Sequence, residues 1–325
     1  DLDPAAGQGY LDRYLEYFPR DCLKGLRVGV YEHSGVARDL LGTLLEGLGA
    51  AVTRLARSET FVPVDTEAIR PEDVQLGEQW AQEYGFDAIV STDGDADRPL
   101  IAEERGQWLR GDIVGVLCAH VLGIDTVVTP VSSNTAVEAC GWFQRVYRTR
   151  IGSPYVIEQM NQALTAGGSV AGYEANGGFL LASDISGDGK TLQALPTRDA
   201  VLPMLAILVA AAEQGQPVSA LVTALPPRFT ASDRLKDFPT EQARARIQAL
   251  SGDVGAIEAA FGPLCGKVKV TDTTDGLRIG FANGEIVHLR PSGNAPELLC
   301  YNEAETPQRA QELNKACMAV LAGWR

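Results

Sequence analysis

The sequence predicts an α/β protein with two consecutive α/β domains, each with a mainly parallel sheet, followed by a smaller α+β C-terminal domain. Short apolar runs alternate with helical patterns, and the alternation restarts at Asp125. After Pro226-Pro227-Arg228 the order changes to helices followed by hairpin strands. We therefore predict domains over residues 1–124, 125–227 and 228–325.

The first domain shows the strand and helix alternation most clearly. Helices are predicted over residues 10–18 and 36–49, with a strand over 26–31 between them. A further helix near 72–84 leads into an apolar strand at 86–91. Such strands pair in parallel through right-handed crossovers, and these sheets bind ligands at the carboxyl ends of their strands. A ligand is therefore expected near the segment that follows residue 91.

The second and third domains differ in the order of their elements. In the second, a strand and a small-residue loop precede a glycine-rich turn between two apolar runs, and a helix is predicted over 199–214. In the third, Asn283-Gly284 is a strong hairpin signal. The other elements predicted there are helices over 239–250, 254–261 and 306–322 and strands over 266–271, 285–290 and 297–303.

Composition excludes several classes of partner. The 325 residues are 45% hydrophobic and carry a net charge of −14, which argues against binding nucleic acid or anionic membranes. No apolar run approaches the roughly 18 residues of a membrane span. The six cysteines form no C-x-x-C pairs, so reduced thiols in a cytoplasmic protein are expected.

The acidic loop (residues 93–98) carries Asp93, Asp95 and Asp97 at alternate positions after a strand, followed by Arg98. In an extended segment alternate side chains point the same way, so the three carboxylates are predicted to converge. Converging anions repel unless they hold a cation, and carboxylate oxygens prefer Mg²⁺ or Ca²⁺. An EF-hand is excluded because Arg98 stands where its loop needs glycine. A phosphatase with Asp93 as nucleophile and Asp95 as acid stays open, as does a solvated acidic turn.

The arginine loop (residues 290–297) joins two predicted strands. Arg290 suits bidentate binding of a phosphate, and Gly293 permits close approach of backbone N–H groups to an anion. Ser292 and Asn294 supply neutral donors. An ordinary turn with a solvated arginine is the alternative.

The glycine loop (residues 174–178) begins with Glu174 and contains Asn176. A carboxylate and an amide that reach the same ligand suit neighbouring hydroxyls of a sugar. A simple hairpin turn is the alternative interpretation of the same residues.

Taken in order, DGDADR, the glycine loop with its glutamate and RPSGNAP resemble the α-D-phosphohexomutases, the phosphomannomutase/phosphoglucomutase superfamily. The resemblance implies four domains around one cleft and Mg²⁺-dependent interconversion of hexose 6-phosphate and hexose 1-phosphate, of mannose or glucose, through a hexose bisphosphate. It implies that the three aspartates ligate Mg²⁺ and that Arg98 lies beside the transferring phosphoryl group. Glu174 would bind sugar hydroxyls, and Arg290, Ser292, Gly293 and Asn294 would hold the non-reacting phosphate.

The chain departs from the family pattern in three places. The N-terminal domain whose phosphoserine donates the phosphoryl group is not found in these residues, so we expect it outside them. A non-catalytic relative that binds sugar phosphates is the alternative. Asn176-Gly177-Gly178 replaces a Ser-Gly-His sequence, which leaves the general acid/base unassigned with Lys190 as a candidate. Asn294-Ala295 replaces Thr-Glu, so the preferred hexose is not predicted.

Overall fold

The computed structural model describes residues 4–293 and 295–325, and the backbone divides into two compact units. The first unit comprises the chain up to Pro130 together with Val137–Arg148 and Gly152–Leu225. The second comprises Val131–Ala136, Thr149–Ile151 and Pro226–Arg325. The division into three domains at residues 124 and 227 stays a prediction.

The first sheet of the first unit has four strands in the order β2-β1-β3-β4. Strand β1 is parallel to β2 and β3, whereas β4 returns antiparallel beside β3. The elements of this region are α1 (Pro4–Tyr17), β1 (Arg27–Tyr31), α2 (Arg38–Gly47), β2 (Ala51–Leu55), α3 (Pro71–Tyr84), β3 (Ala88–Thr92) and β4 (Pro99–Ala102).

Helix α3 shows why the local sequence sets these boundaries. It begins with Pro71, whose missing N–H costs nothing at a first helical position, and Glu72 and Asp73 in the first turn favour the positive end of the helix dipole. It ends at Gly85, which adopts a left-handed conformation at φ 62°. The next strand, β3, is completely buried and carries the chain to the acidic loop.

The second sheet has five strands in the order β11-β8-β7-β5-β6. Strands β5 and β7 are parallel, whereas β8 is antiparallel to both β7 and β11. The elements are α4 (Gly111–Val121), β5 (Thr126–Pro130), α5 (Ala136–Ala139), β6 (Arg145–Thr149), α6 (Ser153–Leu164), β7 (Val170–Tyr173), β8 (Phe179–Leu181), β9 (Ile185–Gly187), β10 (Lys190–Leu192), β11 (Leu195–Asp199), α7 (Val201–Gln214) and α8 (Val218–Thr223).

The predicted α/β organisation is confirmed, but this second sheet is mixed rather than mainly parallel. The reason is the short connection between β7 and β8, because only antiparallel neighbours can be joined by a tight turn. Helix α7 is buried from Val201 to Ala211, and only its last three residues reach the surface. A helix that is apolar on every side belongs in a core, and α7 packs there against α4.

The second unit contains an antiparallel five-stranded sheet in the order β12-β16-β15-β14-β13. Its core is formed by apolar residues of the strands and of the three helices. The predicted hairpin at Asn283-Gly284 is confirmed, with Phe281 N–H donating to Glu285 O at 2.9 Å. The elements are β12 (Phe229–Leu235), α9 (Thr240–Leu250), α10 (Val254–Cys265), β13 (Val268–Asp272), β14 (Leu277–Phe281), β15 (Ile286–Pro291), β16 (Leu298–Ala304) and α11 (Pro307–Ala322).

Among the described residues, no helix combines the length and the apolar character that crossing a bilayer requires.

Candidate functional site

The acidic loop follows directly after β3 and reverses the chain into β4. It is a turn, with Ala96 in a left-handed conformation at φ 62°, rather than the extended segment that the alternate spacing suggested. One carboxylate oxygen from each of Asp93, Asp95 and Asp97 nevertheless lies within 4.8 Å of the others. The three carboxylates therefore come together as predicted, but the turn brings them together and not the alternation of a strand.

The electrostatics of this cluster fit a divalent cation. Asp93 is buried, and its Oδ1 accepts hydrogen bonds from the backbone N–H groups of Asp97 and Arg98, each at 3.2 Å. Burial raises the pKa of Asp93 to about 6, and the charges of Asp97 and Asp95 add to the rise. The buried Oδ1 of Asp97 has no hydrogen-bond partner among the described residues. Three hard oxygen donors, one of them without a hydrogen-bond partner, are suited to a hard divalent cation.

Arg98 lies beside the carboxylates. Its Nε is 3.6 Å from Asp93 Oδ2 and 3.5 Å from Asp97 Oδ1. The side chain is 36% exposed, and its Nε is buried. This places a permanent positive charge next to the predicted cation position.

The glycine loop forms the turn of the β7–β8 hairpin. Glu174 N–H donates to Gly178 O at 3.1 Å, and Gly177 adopts φ 91°, a conformation that favours glycine. Asn176 Oδ1 accepts from Gly178 N–H at 3.0 Å, and Asn176 O accepts from Thr66 Oγ1 at 2.8 Å. Asn176 therefore stabilises the turn through its side-chain oxygen, and its predicted contact with a sugar stays a prediction.

Glu174 is the buried carboxylate of this loop. It is only 5% exposed, and its Oε2 has no hydrogen-bond partner among the described residues. Burial raises its pKa, while the guanidinium of Arg198 opposes that rise. A buried acceptor without a donor is costly, so this oxygen is suited to receive hydrogen bonds from a ligand.

Arg198 is the residue that our sequence interpretation missed. It lies in β11, contacts the Asp97 carboxylate, and its Nη1 is 3.8 Å from Glu174 Oε2. One guanidinium therefore links the acidic loop to the glycine loop, which are about 80 residues apart in the sequence. The Thr197-Arg198-Asp199 triplet lies directly before an apolar helix, but nothing in it predicts these partners.

The neighbouring Asp199 anchors Arg198 in place. Asp199 is buried and accepts hydrogen bonds from Tyr14, from Tyr10 at 2.6 Å, and from the N–H of Val201, the first residue of α7, at 3.0 Å. Helix α1 thus fixes the end of the strand that carries Arg198.

The arginine loop belongs to the second unit and connects β15 to β16. Arg290 Nε donates to Asp275 Oδ1 at 3.1 Å, and Ser292 N–H donates to Glu297 O at 2.8 Å. Gly293 is exposed, with open space where a Cβ would be. Asn294, which was also predicted to bind phosphate, lies outside the described residues.

The structure brings some of the predicted residues together within each unit. In the first unit, Arg198 joins the three aspartates and Arg98 to Glu174. In the second, Arg290, Ser292 and Gly293 share one loop. That the two sets face a single cleft stays a prediction.

Known proteins are similar to this chain over almost its whole length. Models of the phosphoglucomutase/phosphomannomutase family match it in three parts: alpha/beta/alpha domain II matches residues 8–106, alpha/beta/alpha domain III residues 110–229 and the C-terminal domain residues 233–320. A phosphomannomutase of Sinorhizobium fredii is 46% identical over 322 residues, covering 99% of this chain and 68% of that protein. A phosphomannomutase of Salmonella muenchen is 47% identical over 309 residues, covering 95% of this chain and 64% of that protein.

A solved structure agrees in fold. The phosphoglucomutase/phosphomannomutase family protein of Burkholderia thailandensis superposes with a TM-score of 0.71 at 18% identity, covering 98% of this chain and 64% of that one. The chain thus spans about two thirds of the length of the proteins that it matches.

Proposed function

The chain belongs to the phosphoglucomutase/phosphomannomutase family, and from that premise we propose that it carries the metal-, sugar- and phosphate-binding parts of a phosphohexomutase. The reaction is the interconversion of hexose 6-phosphate and hexose 1-phosphate, an intramolecular phosphoryl transfer. Both relatives at 46–47% identity are phosphomannomutases, so mannose 6-phosphate is the preferred candidate substrate and glucose 6-phosphate the comparison.

The observation that carries this proposal is the link between two loops. The acidic loop gathers three carboxylates, and Arg198 connects it to the buried Glu174 of the glycine loop. A cluster of carboxylates that can hold a cation, beside a buried carboxylate that can accept from hydroxyls, suits phosphoryl transfer to or from a sugar hydroxyl.

Each residue of the first unit then has a role. Asp93, Asp95 and Asp97 would hold Mg²⁺, which when bound neutralises charge on phosphoryl oxygens. Arg98, 3.5–3.6 Å from two of those carboxylates, stabilises charge on the same oxygens. Glu174 accepts hydrogen bonds from two neighbouring sugar hydroxyls, and Arg198 keeps that carboxylate ionised and oriented.

The arginine loop holds the phosphate that does not react. Arg290 supplies a charge-assisted pair of donors, and Ser292, Gly293 and Asn294 surround it with neutral ones. Gripping one phosphate while the other reacts allows a bisphosphorylated sugar to rebind in the opposite orientation. The phosphoserine that exchanges the phosphoryl group is proposed to lie outside these 325 residues, in an N-terminal domain.

Isothermal titration calorimetry of the chain with mannose 6-phosphate in the presence of Mg²⁺ tests the proposal. We expect saturable binding that is weakened in Glu174→Gln and in Arg290→Ala. Glu241→Gln is the matched control, because Glu241 is exposed on α9. Absence of binding to both mannose 6-phosphate and glucose 6-phosphate would contradict the proposal.

The same protein distinguishes the proposed mutase function from the phosphatase alternative. A phosphatase using Asp93 as nucleophile would release inorganic phosphate from mannose 6-phosphate without any other domain, and Asp93→Asn would abolish the release. We expect no such release; phosphate release that Asp93→Asn abolishes would favour the phosphatase instead.

A further inference from the structure

Asp275 occupies the tight turn between β13 and β14, and nothing in the sequence marked it as part of a site. Its side chain is 12% exposed, and the residue accepts three hydrogen bonds from two segments of the second unit, β15 and residues 149–151. Oδ1 accepts from Arg290 Nε at 3.1 Å, Oδ2 accepts from Ile151 N–H at 3.0 Å, and the backbone oxygen accepts from His288 Nε2 at 2.6 Å.

The turn lies in close contact with β15, the strand that carries Arg290. Gly276 adopts φ 82°, and a Cβ at that position would lie 2.2 Å from Leu289 O and 3.1 Å from Arg290 Cα. Only glycine therefore allows this approach, and the close packing brings the Asp275 carboxylate alongside the Arg290 guanidinium. His288 is buried one residue before Leu289 and fastens the same turn through the Asp275 carbonyl.

The hydrogen-bond geometry fixes how Arg290 is presented. A guanidinium is planar and carries five N–H donors in a rigid fork, so engaging Nε sets the plane in which the Nη groups lie. A long arginine side chain that is free to rotate loses rotamer entropy when it binds a phosphate, whereas one already held by a carboxylate loses less. Asp275 is in turn held by the Ile151 N–H, so its own rotamer is fixed by the backbone.

We propose that Asp275 is a positioning residue for phosphate binding: it holds the Arg290 guanidinium in the orientation that receives the substrate phosphate, and ties that orientation to the 149–151 segment. This inference rests on the proposed function of the arginine loop. It assigns to Asp275 no contact with the substrate.

The direction in which Asp275→Asn changes the affinity for phosphate distinguishes a positioning role of Asp275 from a purely electrostatic one. A carboxylate near a phosphate site repels the phosphate, so if Asp275 acted only through its charge, Asp275→Asn would tighten binding. If Asp275 orients Arg290, the same variant weakens binding, because asparagine places an acceptor oxygen at only one of the two carboxylate positions and turns its NH₂ group toward the other donor, Arg290 Nε or Ile151 N–H.

The experiment is a double-mutant cycle measured by calorimetry with mannose 6-phosphate and Mg²⁺. We expect Asp275→Asn to weaken binding about tenfold, in line with the coupling found for residues that share one hydrogen-bond network. In the Arg290→Ala background we expect Asp275→Asn to change nothing, because the group through which it acts is gone. Asp272→Asn is the matched control: it removes the same charge from the same hairpin, and Asp272 bonds to Thr274 N–H.

A ligand-free measurement keeps the inference decidable if a variant folds poorly. The ¹⁵Nε–¹Hε resonance of Arg290, assigned by its absence in Arg290→Lys, should be slow to exchange with solvent in the unaltered chain. Fast exchange of that proton in the folded chain would overturn the inference.

The other outcomes are also decisive. Unchanged affinity in Asp275→Asn, tighter binding, or an equal loss in both backgrounds would overturn the inference while leaving the proposed function intact. No binding of mannose 6-phosphate or glucose 6-phosphate by the unaltered chain would overturn the proposed function and this inference together.

Discussion

Replacing Arg198 by alanine removes the guanidinium that lies between the acidic loop and the glycine loop. The Glu174 side chain is 7% exposed and the Arg198 side chain 29%, so their ion pair is partly buried. Its contribution should lie between that of an exposed ion pair and that of a hydrogen bond to a charged group. Exposed ion pairs contribute up to about 1 kcal/mol, and hydrogen bonds to charged groups about 1.5–3 kcal/mol. We expect Arg198→Ala to weaken mannose 6-phosphate binding by about 1–2 kcal/mol, which is about fivefold to thirtyfold.

The variant also shifts the pH dependence of binding. Burial raises the pKa of Glu174, and Arg198 is the largest of the influences that lower it, so removing Arg198 raises that pKa further. The ionised carboxylate accepts the hydrogen bonds from the sugar. Affinity is therefore present above the pKa of Glu174 and lost as pH falls through it. In Arg198→Ala this loss begins at a higher pH.

Calorimetric titrations from about pH 5 to about pH 8 measure both effects. Arg244→Ala is the matched control, because it removes the same charge from an ion pair in which both side chains are exposed. Arg198→Lys should recover part of the affinity, since it restores the charge without the planar fork. An Arg198→Ala protein with unaltered affinity and an unaltered pH profile, or a control with the same loss, would refute the reasoning.

Three further predictions concern stability and metal binding. Tyr14→Phe leaves the buried Asp199 with one donor fewer and should lower the free energy of unfolding in urea by about 1–3 kcal/mol; an unchanged free energy of unfolding would contradict this role of Tyr14. Burial lowers the pKa of His288 from 6.5 to about 4, so the free energy of unfolding is highest above about pH 6.5 and falls by up to about 3 kcal/mol as pH drops to about 4. His288→Asn should reduce this dependence of the free energy of unfolding on pH. An unchanged slope in the variant would contradict the lowered pKa of His288. Saturating Mg²⁺ should raise the melting temperature, because a ligand at a hundredfold excess over its dissociation constant stabilises the folded state by about 2.7 kcal/mol. Asp95→Asn with Asp97→Asn should abolish the rise. A rise retained in that double variant would mean that the ion binds elsewhere.

How much could be predicted from the sequence depended on whether a feature was local. The Asn283-Gly284 hairpin and the apolar helix α7 follow from a few adjacent residues, and both were predicted correctly. The acidic loop was identified from its spacing, although a turn at Ala96 and not an extended strand brings its carboxylates together. The mixed second sheet was missed because the direction of β8 depends on the length of one turn.

Arg198 and Asp275 could not be identified in the same way. Each lies in a segment of ordinary composition, and each acquires its role from partners brought close only by folding. Arg198 lies 24 residues after Glu174 and 101 after Asp97, and Asp275 lies 15 residues before Arg290 and 124 after Ile151. No periodicity or motif encodes such a pairing, so it becomes visible only when strands β11, β14 and β15 are in place.

Whether the metal and the sugar ring bind next to one another can be measured directly, because Arg198 links the three aspartates to Glu174 within the first unit. Mn²⁺ can replace Mg²⁺ at oxygen ligands, and its unpaired electrons speed the relaxation of nearby nuclei. We expect Mn²⁺ to speed the ¹H relaxation of the ring protons of mannose 6-phosphate bound to this chain, and we expect the effect to disappear in Asp95→Asn with Asp97→Asn. Bound mannose 6-phosphate whose ring-proton relaxation is unchanged by an Mn²⁺ ion bound at the three aspartates would contradict the proposed function.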